Sequence, residues 1–178
     1  SHANLRDADL KNADLMNANL GGANLCQADL ATAYLVLSNL RHADLAQAIL
    51  TDTTAEGSDL SYANLNGAQF NQAWLYGVNL SYADLSQANL ESSILDDGNL
   101  FGTDLSGADL NGSTLFRASL MNANLGNANL YGSMLNEANF SQAYLVGADL
   151  SEASLNDVTW MNTWCPDGTY SGDTGLGT

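Results

Sequence analysis

From residue 3 to residue 160 the sequence repeats every five residues without an insertion or deletion, and few chain geometries accommodate that period. Every fifth position is large and apolar. Leu fills 28 of the 32 sites from Leu5 to Trp160, and Ala55, Phe70, Phe140 and Trp160 take the other four. Two residues earlier sits a small residue, as in Ala3, Ala8 and Ala13, with Ser38, Thr53, Val78 and Gly98 among the exceptions. Between the two lies Asn or Asp, as in Asn4, Asp9, Asp14 and Asn19. We call these the leucine, small and amide positions.

An α-helix advances about 500° over five residues, so successive leucines would fall about 140° apart and leave no buried stripe. A straight strand alternates faces with period two, so an odd repeat would send alternate leucines to opposite sides. The small and leucine positions are two apart and share a side in a short extended piece. A chain that turns a corner after each such piece directs both inward throughout. A second period fixes the number of corners. Every fourth pentad from Asp14 gives Tyr34, Thr54, Trp74, Ile94, Thr114, Met134 and Ser154, so 7 of 8 amide positions in this register lack Asn or Asp. In the other three registers only Ile49, Gln69, Ser119, Tyr144 and Thr159 depart, 5 of 24. Gln27, Gln47 and Gln87 repeat the spacing of twenty, as do His42, Tyr62 and Tyr82. Four pentads per coil make a square solenoid of eight coils, about 38 Å long at a strand spacing of about 4.8 Å.

The run Ala-Asp-Leu-x-x, Ala-Asn-Leu-x-x resembles the signature of the pentapeptide repeat family over about nine tenths of the chain. The resemblance implies an all-β, right-handed quadrilateral parallel β-helix with the leucine and small positions inside. Handedness comes from the resemblance and not from the periodicity. We expect the repeat to span residues 3–160, with Ser1-His2 as the remnant of an expression tag and 161–178 as a C-terminal cap and flexible tail. Trp160, Trp164, Pro166 and the Asp167-Gly168 turn form that cap, because an uncovered last coil offers unpaired edges. The stretch from Asn162 to Ser171 also looks like the tail of many family members from cyanobacteria and other bacteria. Members with that tail often carry a second Cys that pairs with the first, whereas residues 172–178 hold none. Cys26 and Cys165 lie almost seven coils apart, about 33 Å at the 4.8 Å spacing, far beyond the roughly 7 Å a disulfide allows between Cα atoms.

Asn and Asp at the amide position hydrogen-bond to backbone at bends, which gives nine of the twenty acids a structural role. Ala55 interrupts a leucine ladder between Leu35 and Leu75, and an underpacked point or a bulge is expected there. The first coil starts in register at Ala3-Asn4-Leu5 with no cap, and an open coil invites head-to-head pairing of two copies.

Chemistry is sparse. His2 and His42 are the only histidines and Lys11 the only lysine, and Arg6, Arg41 and Arg117 fall on different coils. No nucleophile–His–acid set, phosphate-binding Gly loop or zinc spacing is apparent, so we expect no enzyme, no cofactor and no metal. Four cations against 20 acids, a formal charge of −16, exclude direct nucleic-acid binding, and no apolar run is long enough for membrane insertion. The expected function is that of a non-catalytic structural or protein-interaction module. Its candidate interaction face is the register Tyr34, Trp74, Ile94 and Met134, flanked by Tyr76 and Phe116, serving an unknown protein partner or a homodimer. Stacking of aromatic and β-branched neighbours along an outer wall explains the same residues without a partner. The alternative function follows from charge. About one net negative charge per 2.4 Å of rod approaches the one per 1.7 Å of duplex DNA. Some pentapeptide repeat proteins mimic DNA and bind type II topoisomerases such as gyrase. Against this, the chain lacks the long loop that quinolone-resistance members insert between coils, and a net negative charge also serves solubility. The resemblance is compatible with cytoplasm, periplasm or thylakoid lumen.

Overall fold

The computed structural model describes residues 3–172. Ser1-His2 and the tail from Asp173 lie outside the described residues. The backbone is a coil of four flat faces per turn, and parallel bridges join each amide position to the one twenty residues on. The first face runs from Asn4 through Asn24 and Asp44 to Trp164, and the second from Asp9 through Asp29 to Asp149. The third runs from Asp14 through Tyr34 to Ser154, and the fourth from Asn19 through Asn39 to Thr159. Each face is followed by a corner of the same number, so that residues 6–7, 11–12, 16–17 and 21–22 open corners one to four.

In the inner coils, a pentad with Asn or Asp at the amide position accounts for all five of its backbone N–H groups. In the second coil the N–H of Leu25 donates to the Asp44 carbonyl at 2.6 Å and that of Gln27 to the Ala46 carbonyl at 2.9 Å, both one coil on. The Ala28 N–H closes the corner on the Leu25 carbonyl at 2.9 Å, and the Asp29 N–H reaches back to the Ala8 carbonyl at 2.9 Å. The fifth donor, the N–H of Cys26, has no backbone acceptor, and Oδ1 of Asn24 accepts it at 3.1 Å. The same bond recurs at Lys11 with Asp9, Ala31 with Asp29, Ser61 with Asp59 and Ser106 with Asp104. This is why the amide position favours Asn or Asp: a buried or half-buried N–H left unpaired costs free energy, and a short side chain with an oxygen at this point reaches it within the same pentad. Asn and Asp also join successive coils from outside, as where Asn64 Nδ2 donates to Asp44 at 2.8 Å and Asn129 Nδ2 to Asp109 at 2.9 Å.

The corners are turns with a left-handed second central residue. From Asp7 to Asn162 every such residue has positive φ, between 55° at Leu37 and 78° at Gly147. Most of them are not glycine. The conformation costs an L-residue about 1–2 kcal/mol, and the pentad's hydrogen bonds hold it in place.

Inside, leucine and small positions form one continuous core. The leucines at leucine positions from Leu25 to Leu145 are almost fully shielded, and Phe70 and Phe140 fill their sites in the same columns. Each Leu contributes roughly 1.5–3 kcal/mol of burial before chain entropy is subtracted. Most Ser or Thr residues at small positions bond a carbonyl through the hydroxyl, as Ser93 does to Leu90 at 2.6 Å and Ser113 to Leu110 at 2.7 Å, whereas the buried Ser38 hydroxyl has no partner among the described residues. Ala55 produces no bulge. Thr54 bridges to Tyr34 and Trp74 in register, and the Ala55 N–H donates to the Trp74 carbonyl at 2.8 Å. The register survives because it is set by backbone bonds that Ala makes as well as Leu. Thr53 and Ser58, bulkier than Ala at the flanking small positions, are buried and donate to the Leu50 and Ala55 carbonyls.

At the C-terminal end the ladder continues to Trp164, four residues past Trp160, and Trp160 stacks on Phe140 at 5.0 Å between ring centroids. Cys165 occupies the next leucine position. The chain then reverses through Pro166-Asp167-Gly168, with Gly168 at φ 83°, and Tyr170 pairs antiparallel with Trp164. Their rings meet at 5.0 Å, and the Ser171 N–H donates to the Thr163 carbonyl at 2.9 Å. The hairpin thus pairs the outer edge of the first face, the hazard an end coil presents. Cys26 and Cys165 are both free thiols.

Candidate interaction surface

The third face departs from the hydrogen-bond scheme most often, with isolated departures elsewhere at the N–H groups of Thr51, Asn71, Met121, Val146 and Met161. Tyr34, Trp74 and Met134 stand about half exposed or more, and Ile94 is half-buried between its neighbours in the column. None of these side chains places an oxygen beside the fifth N–H of its pentad. The N–H groups of Val36, Glu56, Tyr76 and Asp96, one per coil in four successive coils, accordingly have no acceptor among the described residues. The run ends where Oδ1 of Asp96 takes the Phe116 N–H at 2.9 Å. An apolar column flanked by outward-facing backbone donors is the result.

The third corner borders this column. Tyr76 is 44% exposed and Met16 49%, while Phe116 is half-buried. Arg117 grips Asp97 with two hydrogen bonds, Nε to Oδ1 at 2.7 Å and Nη2 to Oδ2 at 2.6 Å, and lies over the Phe116 ring at 4.6 Å. Tyr76 is adjacent: its hydrogen bond to Asp97 raises the phenol above its ordinary pKa. Arg117 first, and Tyr76 second, hold Asp97 below the usual carboxylate range. The clamp orders Tyr76 and Phe116, the two flanking aromatics expected at this face. Reading residues singly misses it. The opposite charges of Asp97 and Arg117 are twenty residues apart at equivalent corner positions, and that spacing is the signal that finds the pair.

The remaining candidate residues lie elsewhere. Trp160, Trp164 and Pro166 belong to the C-terminal end, far along the rod from Trp74. Acids favour the opposite half of the perimeter. Of the 19 within the described residues, 12 lie from the first face to the second corner, including Asp44, Asp84 and Asp104 on the first face and Asp9, Asp29 and Asp149 on the second. Lys11 bridges to Asp29 there and lowers its pKa. The fourth corner carries no acid among the described residues and holds a stack of rings: His42 on Tyr62 at 5.0 Å, Tyr62 on Tyr82 at 5.1 Å, then Phe101 edge-on at 5.3 Å. No group of three or more His, Cys, Asp or Glu side chains is arranged to hold a metal among the described residues. No helix there is long and apolar enough to cross a membrane.

Known proteins place this geometry in a family. The model of the pentapeptide repeats matches in eight copies, over residues 1–30, 38–73, 75–115, 99–136 and 123–159. No curated protein matches in a sequence search. Among solved structures, HetL of the cyanobacterium Nostoc sp. strain PCC 7120, a pentapeptide repeat protein involved in heterocyst differentiation regulation, is 28% identical, with 95% of this chain and 92% of HetL covered and a TM-score of 0.40. The trypsin-treated form of QnrB1, a plasmid-mediated fluoroquinolone resistance protein, is 20% identical over 86% of this chain and 77% of its own, with a TM-score of 0.63. A third, alr5209 of Nostoc PCC 7120, is 31% identical over 66% of this chain and 84% of its own, with a TM-score of 0.43. The coil is therefore a right-handed quadrilateral β-helix, and the chain belongs to the pentapeptide repeat family.

Proposed function

We propose that the chain is a non-catalytic protein-interaction module whose docking surface is the third face and its corner, centred on Trp74 and Tyr76. One observation carries the reading: four successive coils forgo the side-chain bond to the corner N–H that most other pentads make, and place Tyr34, Thr54, Trp74 and Ile94 there instead. Each forgone bond is worth about 0.5–1.5 kcal/mol when made inside the protein, while a cross-strand apolar pair returns about 0.2–1 kcal/mol. Wall stacking alone barely offsets that loss, so a partner that covers the column supplies the missing term. Its complement is a surface of apolar side chains with carbonyl or carboxylate oxygens beside them, able to receive the N–H groups of Val36, Glu56, Tyr76 and Asp96.

Trp74→Asn tests this. Asn restores an acceptor for the Tyr76 N–H and removes the central ring. The variant is expected to be at least as stable as the parent, and to lose the sedimentation-detected self-association or the resin-bound partner that the parent shows. Unchanged association and an unchanged set of bound proteins would refute the docking face.

A second reading rests on the uneven acids, 12 of 19 on half of the perimeter, which gives one side of the rod the greater share of its negative charge. That side would act as a DNA mimic toward a type II topoisomerase such as gyrase. Inhibition of purified gyrase that weakens as salt is raised supports it, and no effect at tens of micromolar removes it.

A further inference from the structure

The column of the third face reads the same, in chemical kind, from either end of the rod. It runs Asp14, Tyr34, Thr54, Trp74, Ile94, Thr114, Met134 and Ser154, with a polar residue at each end, a Thr third from each end and large apolar residues at the other places. Its midpoint, between Trp74 and Ile94, is the middle of the rod. A two-fold axis in the plane of the face, parallel to its strands and through that midpoint, turns the column end over end onto itself. Trp74 then faces the partner's Ile94, Thr54 the partner's Thr114, Tyr34 the partner's Met134 and Asp14 the partner's Ser154. Isologous pairing of this kind is the commonest association of identical chains, and it makes every contact twice.

The same axis sets the third corner against itself, and the charges are complementary. Glu56 comes opposite the partner's Phe116, beside the partner's Arg117. Asp96 and Asp97 come opposite the partner's Tyr76 and the partner's Gly77, and Glu137 and Asp157 opposite the partner's Leu37 and the partner's Asn17. No acid of this face or corner meets an acid, although each chain carries a net charge of −16. Sliding the partner one coil one way sets Asp96 and Asp97 on their own equivalents, and one coil the other way sets Glu56 on the partner's Asp96. Like-charge contact thus disfavours both neighbouring registers. Shape follows the same pairing. Gly57 and Gly77 are the only glycines of this corner, and they face the partner's Arg117 and the partner's Asp97, the two halves of the clamp. A Cβ at Gly77 would meet no atom within 4 Å, which leaves room for that carboxylate. The Tyr76 N–H, without an acceptor among the described residues of its own chain, comes opposite the partner's Asp96. A face about 38 Å tall and about 13 Å wide covers about 500 Å² on each copy, about 1,000 Å² in all, the lower end of specific interfaces. We propose that the third face binds a second copy of this chain, the two rods antiparallel and related by this axis. The inference rests on the docking role proposed above for the face and names its partner.

Sedimentation of the pure chain tests the pairing, in about 0.3 M salt to screen the repulsion between two acidic rods. The mass is expected to pass from one chain to two between about 10 µM and about 1 mM, as suits so small an interface. Leu37, 62% exposed, and Glu137, also exposed, report the register. In a chain with Cys26 and Cys165 replaced by serine, Leu37→Cys mixed with Glu137→Cys is expected to cross-link through a short bismaleimide. Neither variant should do so alone, because its two copies then lie five coils apart, about 24 Å along the rod. Glu56→Arg places like charges together beside the partner's Arg117 and is expected to weaken pairing about tenfold. Glu152→Arg makes the same change of charge on the second corner and is expected not to weaken it. A one-chain mass at about 1 mM overturns the proposal. So do a mixture that fails to cross-link, a single variant that cross-links as well as the mixture, and equal pairing of Glu56→Arg and Glu152→Arg. A one-chain mass would leave the docking face itself to the proteins that Trp74→Asn loses from the resin, so the two readings fail separately.

Discussion

Gln72 isolates the energetics of the corners. It sits on the second corner at φ 59°, exposed, and its side chain makes no hydrogen bond or ion pair among the described residues. Only its backbone conformation is therefore at stake in a substitution. The left-handed region costs an L-residue about 1–2 kcal/mol, and glycine escapes that cost. Against this, glycine loses more chain entropy on folding, by about 0.5–1 kcal/mol relative to alanine. Gln72→Gly should thus be more stable than the parent by about 0.5 kcal/mol. Gln72→Ala keeps the same backbone demand and should stay within about 0.5 kcal/mol of the parent. Gln72→Val adds β-branching to positive φ and should lose about 1–2 kcal/mol. At about 2–4 °C per kcal/mol for a chain of this size, the series should spread the melting temperature by roughly 3–10 °C, in the order Gly, Gln and Ala together, then Val. A corner residue in the extended or right-handed region would give the opposite order, with glycine lowest. Finding glycine below alanine would refute the corner geometry.

Other expectations are independent of the corners. Leu85→Ala, at a site with no exposure in the middle of the rod, should cost about 2–5 kcal/mol in denaturant unfolding, and Leu10→Ala in the half-covered first coil should cost less. The Asp97–Arg117 clamp should show its sign in pH dependence. Because the folded state lowers the pKa of Asp97, its stabilisation is present above the ordinary carboxylate pKa of about 3.9 and is lost as pH falls through the folded value. The stability difference between the parent and Asp97→Asn should be level from pH 6 to 8 and shrink below about pH 4, and a difference that grows on acidification would contradict the clamp. Oxidation of the monomer should produce no Cys26–Cys165 bridge, as intact mass under non-reducing conditions will report.

The pentad and the period of twenty make the coil legible from sequence, because both are carried by residue types that admit one geometry: Leu at an interior column, Asx beside an N–H that no backbone carbonyl meets. The candidate face was legible for a related reason, since Tyr34, Trp74, Ile94 and Met134 break the Asx rule in one register. Its donors were not, because the missing bond at Val36 or Tyr76 is visible only once the other four N–H groups of the pentad have partners. The left-handed corners were equally hidden. Leu37, Thr32, Tyr62 and Arg117 adopt positive φ where sequence rules look for Gly or Asn, held there by bonds to coils twenty residues away. Ala55 marks the opposite error, since a gap in the leucine column suggests a bulge to a reader of side chains, whereas the register is held by the backbone. Side-chain type also leaves the end of the ladder unmarked, because Trp164 has no leucine after it and still pairs with Tyr144.

A quarter-turn per pentad makes residues twenty apart neighbours along the axis, and one distance measures this directly. Thr32 and Glu152 are exposed residues on the same corner, six coils apart. Spin labels are placed at Thr32→Cys and Glu152→Cys, in a chain with Cys26 and Cys165 replaced by serine. At the spacing between parallel strands, the electron–electron distance distribution should be narrow and centred at about 29 Å, widened only by the label arms. A distribution that is broad, or centred below about 20 Å or beyond about 40 Å, would contradict this stacking of coils and every face assigned from it.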